Sequence, residues 1–198
     1  QNAFYFDGSG ASIDKGTLVL DGVGDYLQYS NWKGITGRKQ STYEMWVKPA
    51  SDWSHCPETY APLIHYGSPG AYRSFRLNLI SHGSSGPRPS LDISDPFSTR
   101  STMTWNEVLP TNQWSHIALV VPADNSRISA SEMYVNGVKQ TTYHSNSLTT
   151  RTNNYFDPGT DLDVRIGGDH FSCFFKGEMD DIRFHSRALG PQELGFFN

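Results

Sequence analysis

Hydrophobic positions along the chain come in short alternating or continuous runs, broken by Gly, Pro, Asn, Asp and Ser clusters, a pattern of strands and turns rather than helices. The runs predict strands at Phe4 to Phe6, Thr17 to Leu20, Tyr26 to Tyr29, Thr42 to Lys48, Leu63 to Tyr66, Ser74 to Ile80, Ser90 to Ile93 and Met103 to Trp105. Trp114 to Val121 is almost continuously apolar. Glu132-Met133-Tyr134-Val135 and Val138-Lys139-Gln140 flank Asn136-Gly137, a pair suited to the type I′ turn of a hairpin. Asp163 to Gly167 and Lys176 to Phe184 complete the set, and simple alternation in the last run places Asp180 and Ile182 on one face. The stretch Ser186 to Leu194 reads as a turn into one short C-terminal helix, with Pro191 near its start. About a dozen strands imply an all-β fold of two packed antiparallel sheets.

Irregular stretches are expected at Pro49 to Pro62, Ser81 to Pro89, Pro122 to Ser131 and Thr141 to Thr160, and connections this long are where binding residues often sit. No repeat or linker divides the 198 residues, so the reading is one domain over 1–198. With 16 Lys and Arg against 20 Asp and Glu, the net charge is −4, and no basic run is present. Nucleic acid and anionic membranes, which require clustered positive charge, are therefore not the expected partners. The longest apolar runs, such as Ile117 to Val121, fall far short of the roughly 20 residues that insert into a bilayer, and a soluble chain is expected. The chain begins at Gln1, which fits either a mature product or a domain cut from a longer protein.

Several segments in order resemble the laminin-G-like and pentraxin-like branch of the concanavalin A-like jelly rolls. They are Leu20-Asp21-Gly22-Val23-Gly24-Asp25-Tyr26-Leu27, then Ser41-Thr42-Tyr43-Glu44-Met45-Trp46-Val47-Lys48-Pro49, then Gln113-Trp114-Ser115-His116-Ile117-Ala118 and Met133-Tyr134-Val135-Asn136-Gly137. The closing segments are Arg165-Ile166-Gly167-Gly168, Gly177-Glu178-Met179-Asp180-Asp181-Ile182-Arg183-Phe184 and Arg187-Ala188-Leu189 with Glu193. The resemblance implies a jelly-roll sandwich with loops and a sheet face available to ligands, a fold shared by lectins, adhesion modules and polysaccharide-degrading enzymes. Within the runs, Trp46 and Trp114 read as core anchors and His116 as a satisfied strand histidine.

The chemistry of known enzymes on this fold is not written in the chain. Laminarinase-like members carry Glu-x-Asp-x-x-Glu on one strand; here Glu178-Met179-Asp180-Asp181-Ile182 is followed by Arg183 where the final carboxylate belongs. The alginate-lyase pattern Gln-x-His is misspaced in Gln113-Trp114-Ser115-His116, and no nucleophile elbow, zinc-protease or phosphate-loop motif occurs. A polysaccharide lyase or glycosidase with an unfamiliar constellation remains the alternative, as does a protein-adhesion module.

The resemblance also implies a structural calcium between an early turn and an Asp of the closing strand. Asp180 matches that Asp, and Asp21-Gly22 supplies the turn. The paired-calcium arrangement of pentraxins is not expected, because no Asp-Asn pair follows Leu63 to Tyr66 and only Asp169 remains in the matching acidic region. Cys56 and Cys173 either form one long-range disulfide or stand as separate buried thiols, and an extracellular setting favours the bridge. No Asn-x-Ser/Thr glycosylation signal supports secretion.

Binding through loop aromatics and polar groups is what remains, because sugars offer apolar C–H faces to rings and hydroxyls to polar side chains. Trp53, His55, Glu58 and Tyr60 form one such group, Tyr72 and Arg73 another, and Arg151, Asn153, Asn154 and Tyr155 a third. A Cys56–Cys173 bridge would bring Trp53, His55 and Tyr60 beside Asp169, His170 and Phe171, with rings on both sides of polar groups. The expectation is a non-catalytic, extracellular module binding a glycan or a glycosylated protein.

Overall fold

A computed structural model describes residues 4–7, 12–14, 16–54, 56, 60–67, 73–81, 86–94, 100–143 and 157–195. In chain order the strands begin with β1 (Phe4–Asp7), β2 (Ser12–Asp14), β3 (Thr17–Asp21), β4 (Tyr26–Tyr29) and β5 (Ser41–Ser54). Next come β6 (Tyr60–Gly67), β7 (Ser74–Ile80), β8 (Arg88–Ser94), β9 (Arg100–Trp105) and β10 (Ser115–Val121). The last are β11 (Glu132–Val135), β12 (Val138–Lys139), β13 (Thr142–Tyr143), β14 (Leu162–Ile166) and β15 (Phe175–His185). They form an eight-stranded sheet, β1-β4-β14-β6-β7-β8-β9-β13, and a seven-stranded sheet, β12-β11-β10-β5-β15-β3-β2. The named pairings are antiparallel throughout, and the protein is a jelly-roll sandwich.

Alternation within each strand sends one set of side chains between the sheets. Tyr43, Met45 and Val47 of β5 and Ile117, Leu119 and Val121 of β10 meet Leu63, Ile64 and Tyr66 of β6 and Phe75, Leu77 and Leu79 of β7. In this core the Tyr43 and Tyr66 hydroxyls lie 2.6 Å apart, and Tyr66 donates to the Ile35 carbonyl at 3.1 Å. Asn136 and Gly137 hold φ of 49° and 75°, as the predicted hairpin turn requires. Gly167 adopts φ 78°, and a β-carbon there would collide with the Leu20 side chain, which gives one of the resembling segments a packing reason.

The sequence reading stops strands at prolines that the sheets in fact absorb. β5 continues past Pro49 to Ser54, and β6 includes Pro62, both prolines sitting at or beside shifts in register, where strands tolerate them. The tail expected to be a helix makes a single 3₁₀ turn, Pro191–Glu193. Through Leu189 and Leu194 this tail covers Ala118, Val120 and Tyr134 on the outer face of the seven-stranded sheet.

In β15 the expected alternation fails at a second shift between Asp180 and Arg183, where Asp181 takes φ 49°. Met179 lies in the core, Ile182 and Phe184 pack against it, and Asp180 pairs in register with outward-facing Trp46. Asp180 and Ile182 therefore do not continue one face. Two further expectations are corrected. Trp114 is 38% exposed, with Lys48 Nζ 6.0 Å from its ring centroid. Trp46 is half-buried on the outer face, edge-on to His116, because β5 turns Tyr43, Met45 and Val47 inward instead.

Candidate functional site

The site is built where β4, β14, β6, β7, β8 and β9 turn their polar residues away from the core. Strand register aligns Gln28, Arg165, His65, Arg76, Asp92 and Thr102 as one row across these strands. Each is a polar residue between inward-facing neighbours, as in Ile64-His65-Tyr66, Phe75-Arg76-Leu77 and Leu91-Asp92-Ile93. Parts of the row are tied internally. Arg165 Nε donates to Gln28 Oε1 at 2.9 Å, while Asp92 accepts from Thr102 Oγ1 at 2.5 Å and from Asn78 Nδ2 at 2.9 Å.

Over this row lies the turn 169–173. Cys56 and Cys173 are bridged, with Cα atoms 5.1 Å apart, so the turn is fastened to the chain between β5 and β6. Asp169 is fully buried and organises the turn: its Oδ1 accepts from Phe171 N at 2.7 Å and Cys173 N at 2.9 Å, and its Oδ2 accepts from the Tyr60 hydroxyl at 2.8 Å. The result holds the Phe171 ring at the surface, 44% exposed. Its centroid lies 5.5 Å from the Arg76 guanidinium and 5.5 Å from the His65 ring. The same guanidinium stands 5.7 Å from the Tyr60 ring.

Electrostatics in the row follow from burial. His65 is held neutral, its pKa well below the usual 6.5, first by burial and then by the positive charge of Arg76, His170 and Arg165. Its Nδ1 accepts from His170 N at 3.1 Å, so the neutral ring carries its proton on Nε2. That buried nitrogen has no hydrogen-bond partner. Burial likewise lowers the pKa of His170, whose Nε2 lies 3.1 Å from the Asp163 carbonyl oxygen.

The bridge thus joins the two segments the sequence reading placed together, but their residues play unequal parts. Phe171 is a surface ring and His170 is half-buried beside it, whereas Asp169 and Tyr60 are buried and engaged with each other. Trp53 is 7% exposed and packs in the core, so it offers no surface for stacking. His55, Glu58, Tyr72, Arg151, Asn153, Asn154 and Tyr155 lie outside the described residues; Arg73 is described and binds Asp157 through its Nε and Nη2. Gln28, Arg165, His65, Arg76 and Asp92 were not singled out from sequence. A polar residue alternating with apolar neighbours in each of several strands was the available signal.

The calcium ligands expected from the resemblance do not come together. Asp21 stands opposite Lys176 at one end of β3, and Asp180 is approached by Thr17 Oγ1 at 3.4 Å at the other end. Four residue positions of strand separate them, about 13 Å, too far to share one ion. Asp21 instead forms a local turn, its Oδ1 accepting from Val23 N at 2.7 Å, and its own N–H donates to Asp25 Oδ2 at 3.1 Å. Asp180 Oδ1 accepts from the neighbouring Asp181 N–H at 2.7 Å, and Glu178 pairs with Lys48 at 2.7 Å.

Two antiparallel sheets, with a polar row and an exposed ring on one outer face, define a jelly-roll sandwich. Residues 21–195 match the laminin-G-type family described as the Concanavalin A-like lectin/glucanases superfamily, and the chain belongs to it. Among solved structures it is similar to domain 4 of AbnA, an extracellular arabinanase from Geobacillus stearothermophilus, in complex with arabinotriose. That match has 20% identity and TM-score 0.64, and covers 97% of this chain and 85% of that one. It is also similar to the CBM40 of a Ruminococcus gnavus sialidase bound to α2,3-sialyllactose, at 15% identity and TM-score 0.65, covering 93% and 97% of the two chains. A SAP-like pentraxin from Limulus polyphemus matches at 14% identity and TM-score 0.59, covering 92% and 82%. No curated protein sequence matches. At these identities the structural likeness speaks for the fold.

Proposed function

We propose that the protein is a non-catalytic, extracellular carbohydrate-binding module that takes its glycan at Phe171 and the adjoining Arg76 and Arg165, with His65 buried beneath them. The observation that carries this reading is the exposed Phe171 ring, fixed by a buried carboxylate and a disulfide directly beside a guanidinium and an imidazole. A ring for the sugar's apolar face with hydrogen-bonding groups at its edge is the composition of a saccharide site. Sugar complexes of the Geobacillus and Ruminococcus domains give the reading further support. The long-range bridge suits an oxidising, extracellular compartment.

A glycan array should give defined hits, with Phe171→Ala weakening them at least tenfold at unchanged melting temperature. Reducing-sugar and unsaturated-product assays on mixed polysaccharides should stay at background. Hits indifferent to Phe171→Ala would remove the site, and product formation would remove the non-catalytic assignment.

A further inference from the structure

We infer that the glycan bound here carries a carboxylate and that Arg76 is the residue that recognises it. The inference rests on the glycan reading above and narrows it to acidic sugars.

A guanidinium offers five N–H donors. For Arg76 the structure records one hydrogen bond, Nη1 to the Tyr60 hydroxyl at 3.4 Å, near the limit of such a contact. Its Nε is buried and has no partner. The nearest carboxylate oxygen, Asp169 Oδ2, lies 3.9 Å away and already accepts from Tyr60, while Oδ1 accepts from two backbone N–H groups. Asp92, opposite Arg76 in the register on the other side, is bound by Asn78 and Thr102. The second unpartnered donor is His65 Nε2–H, on the residue facing Arg76 across the strand pair.

Among the described residues donors are therefore in surplus, while Asp169 and Asp92 are already engaged. A neutral sugar presents hydroxyls that both donate and accept, and a site for it balances the two. A carboxylate only accepts, and a guanidinium binds it through two parallel hydrogen bonds. Arg76 Nε and His65 Nε2 are out of a ligand's reach, but Arg76 Nη2 makes no hydrogen bond among the described residues and is not among the buried atoms, so it is the donor that faces a ligand. Access is present as well: the Arg76 side chain keeps 11% of its surface, beside the exposed Phe171 ring. A pyranose on that ring would set a ring substituent near the guanidinium, which the Phe171 and Tyr60 rings hold in place.

The decisive comparison is each acid against its own methyl ester, which keeps the shape and removes the charge. Titration calorimetry on the intact, disulfide-bonded protein would use 3′-sialyllactose and trigalacturonate, their methyl esters, and the neutral sugars lactose and arabinotriose. At least one acid should bind tenfold or more tighter than its ester, with salt weakening the acid alone. Whichever acid shows the difference separates a sialic from a uronic source. Arg76→Gln should bring that acid down to the level of its ester, and Arg76→Lys should recover only part of the loss. Should Arg76→Gln fail to fold, the acid-to-ester ratio of the unaltered protein still decides. Equal affinity for acid and ester, or a preference for neutral sugars, overturns the carboxylate and leaves the glycan reading standing. Absence of binding to every probe and to the array overturns both.

Discussion

The Tyr60 hydroxyl donates to Asp169 Oδ2 at 2.8 Å across a sequence separation of 109. This bond links the start of β6 to the turn that carries Phe171, and with two backbone N–H bonds it fills a carboxylate that no solvent reaches. Asp169 is thus a support for the ring, and its replacement should act through stability. Asp169→Ala would strand the buried Cys173 N–H and Tyr60 hydroxyl, each worth about 1–3 kcal/mol, and the part-buried Phe171 N–H. We expect a clear drop in the urea midpoint together with weaker glycan binding. An unchanged midpoint would mean that the turn is held by other contacts.

Removal of the Cys56–Cys173 bridge should be felt throughout the chain. Its sequence separation of 117 gives about 4–5 kcal/mol in the chain-entropy treatment of the unfolded state. Cys56→Ser with Cys173→Ser should lower the denaturation midpoint accordingly, and the unaltered protein should weigh two hydrogens less than its reduced form. Quantitative alkylation of both thiols without reductant would contradict the bridge.

Trp53→Ala tests a core position. Because Trp53 packs within the inter-sheet cluster, its truncation should cost about 3–5 kcal/mol, measured by chemical denaturation. A loss of binding at full stability would instead return the ring to the ligand site.

Glu44 should contribute to the acid side of the stability curve. Burial alone would raise its pKa, but His116, the Gly195 N–H at 2.7 Å and His185 at 3.0 Å outweigh this and hold it at about 2 against an ordinary 4.5. Since the folded value lies below the unfolded one, the stabilisation is complete above about pH 4.5 and fades as the pH falls toward 2. Glu44→Gln should lose ~2–3 kcal/mol at neutral pH and show a flatter decline between pH 4.5 and 2. Parallel melting curves for both proteins across that window would show that the carboxylate is not the group responsible.

The sandwich was legible in the sequence because inward residues such as Tyr43, Met45 and Val47 alternate with outward ones, and because Asn136-Gly137 permits only a few turn geometries. Local patterns could not show what depends on register. The shift at Asp181 reverses the facing of β15, and Pro49 and Pro62 look like breaks until they are placed at or beside irregularities. The candidate site was half legible. Cys56 and Cys173 predicted that the 169–173 turn would meet Tyr60, but not that Trp53, nearby in sequence, would point inward. Arg76 and His65 could be paired only once β6 and β7 were aligned.

The row from Gln28 to Thr102 draws each member from a different strand, so no contiguous stretch of sequence encodes it. Each position alternates with residues of the inter-sheet packing, so the row and the core are written in separate positions of the same strands. If the row is the proposed site, ligand preference drifts by one substitution at a time while the sandwich persists. Relatives with the same inward residues and different outward ones would share an architecture without sharing a sugar, and overall sequence identity would be a poor guide to which of them bind alike.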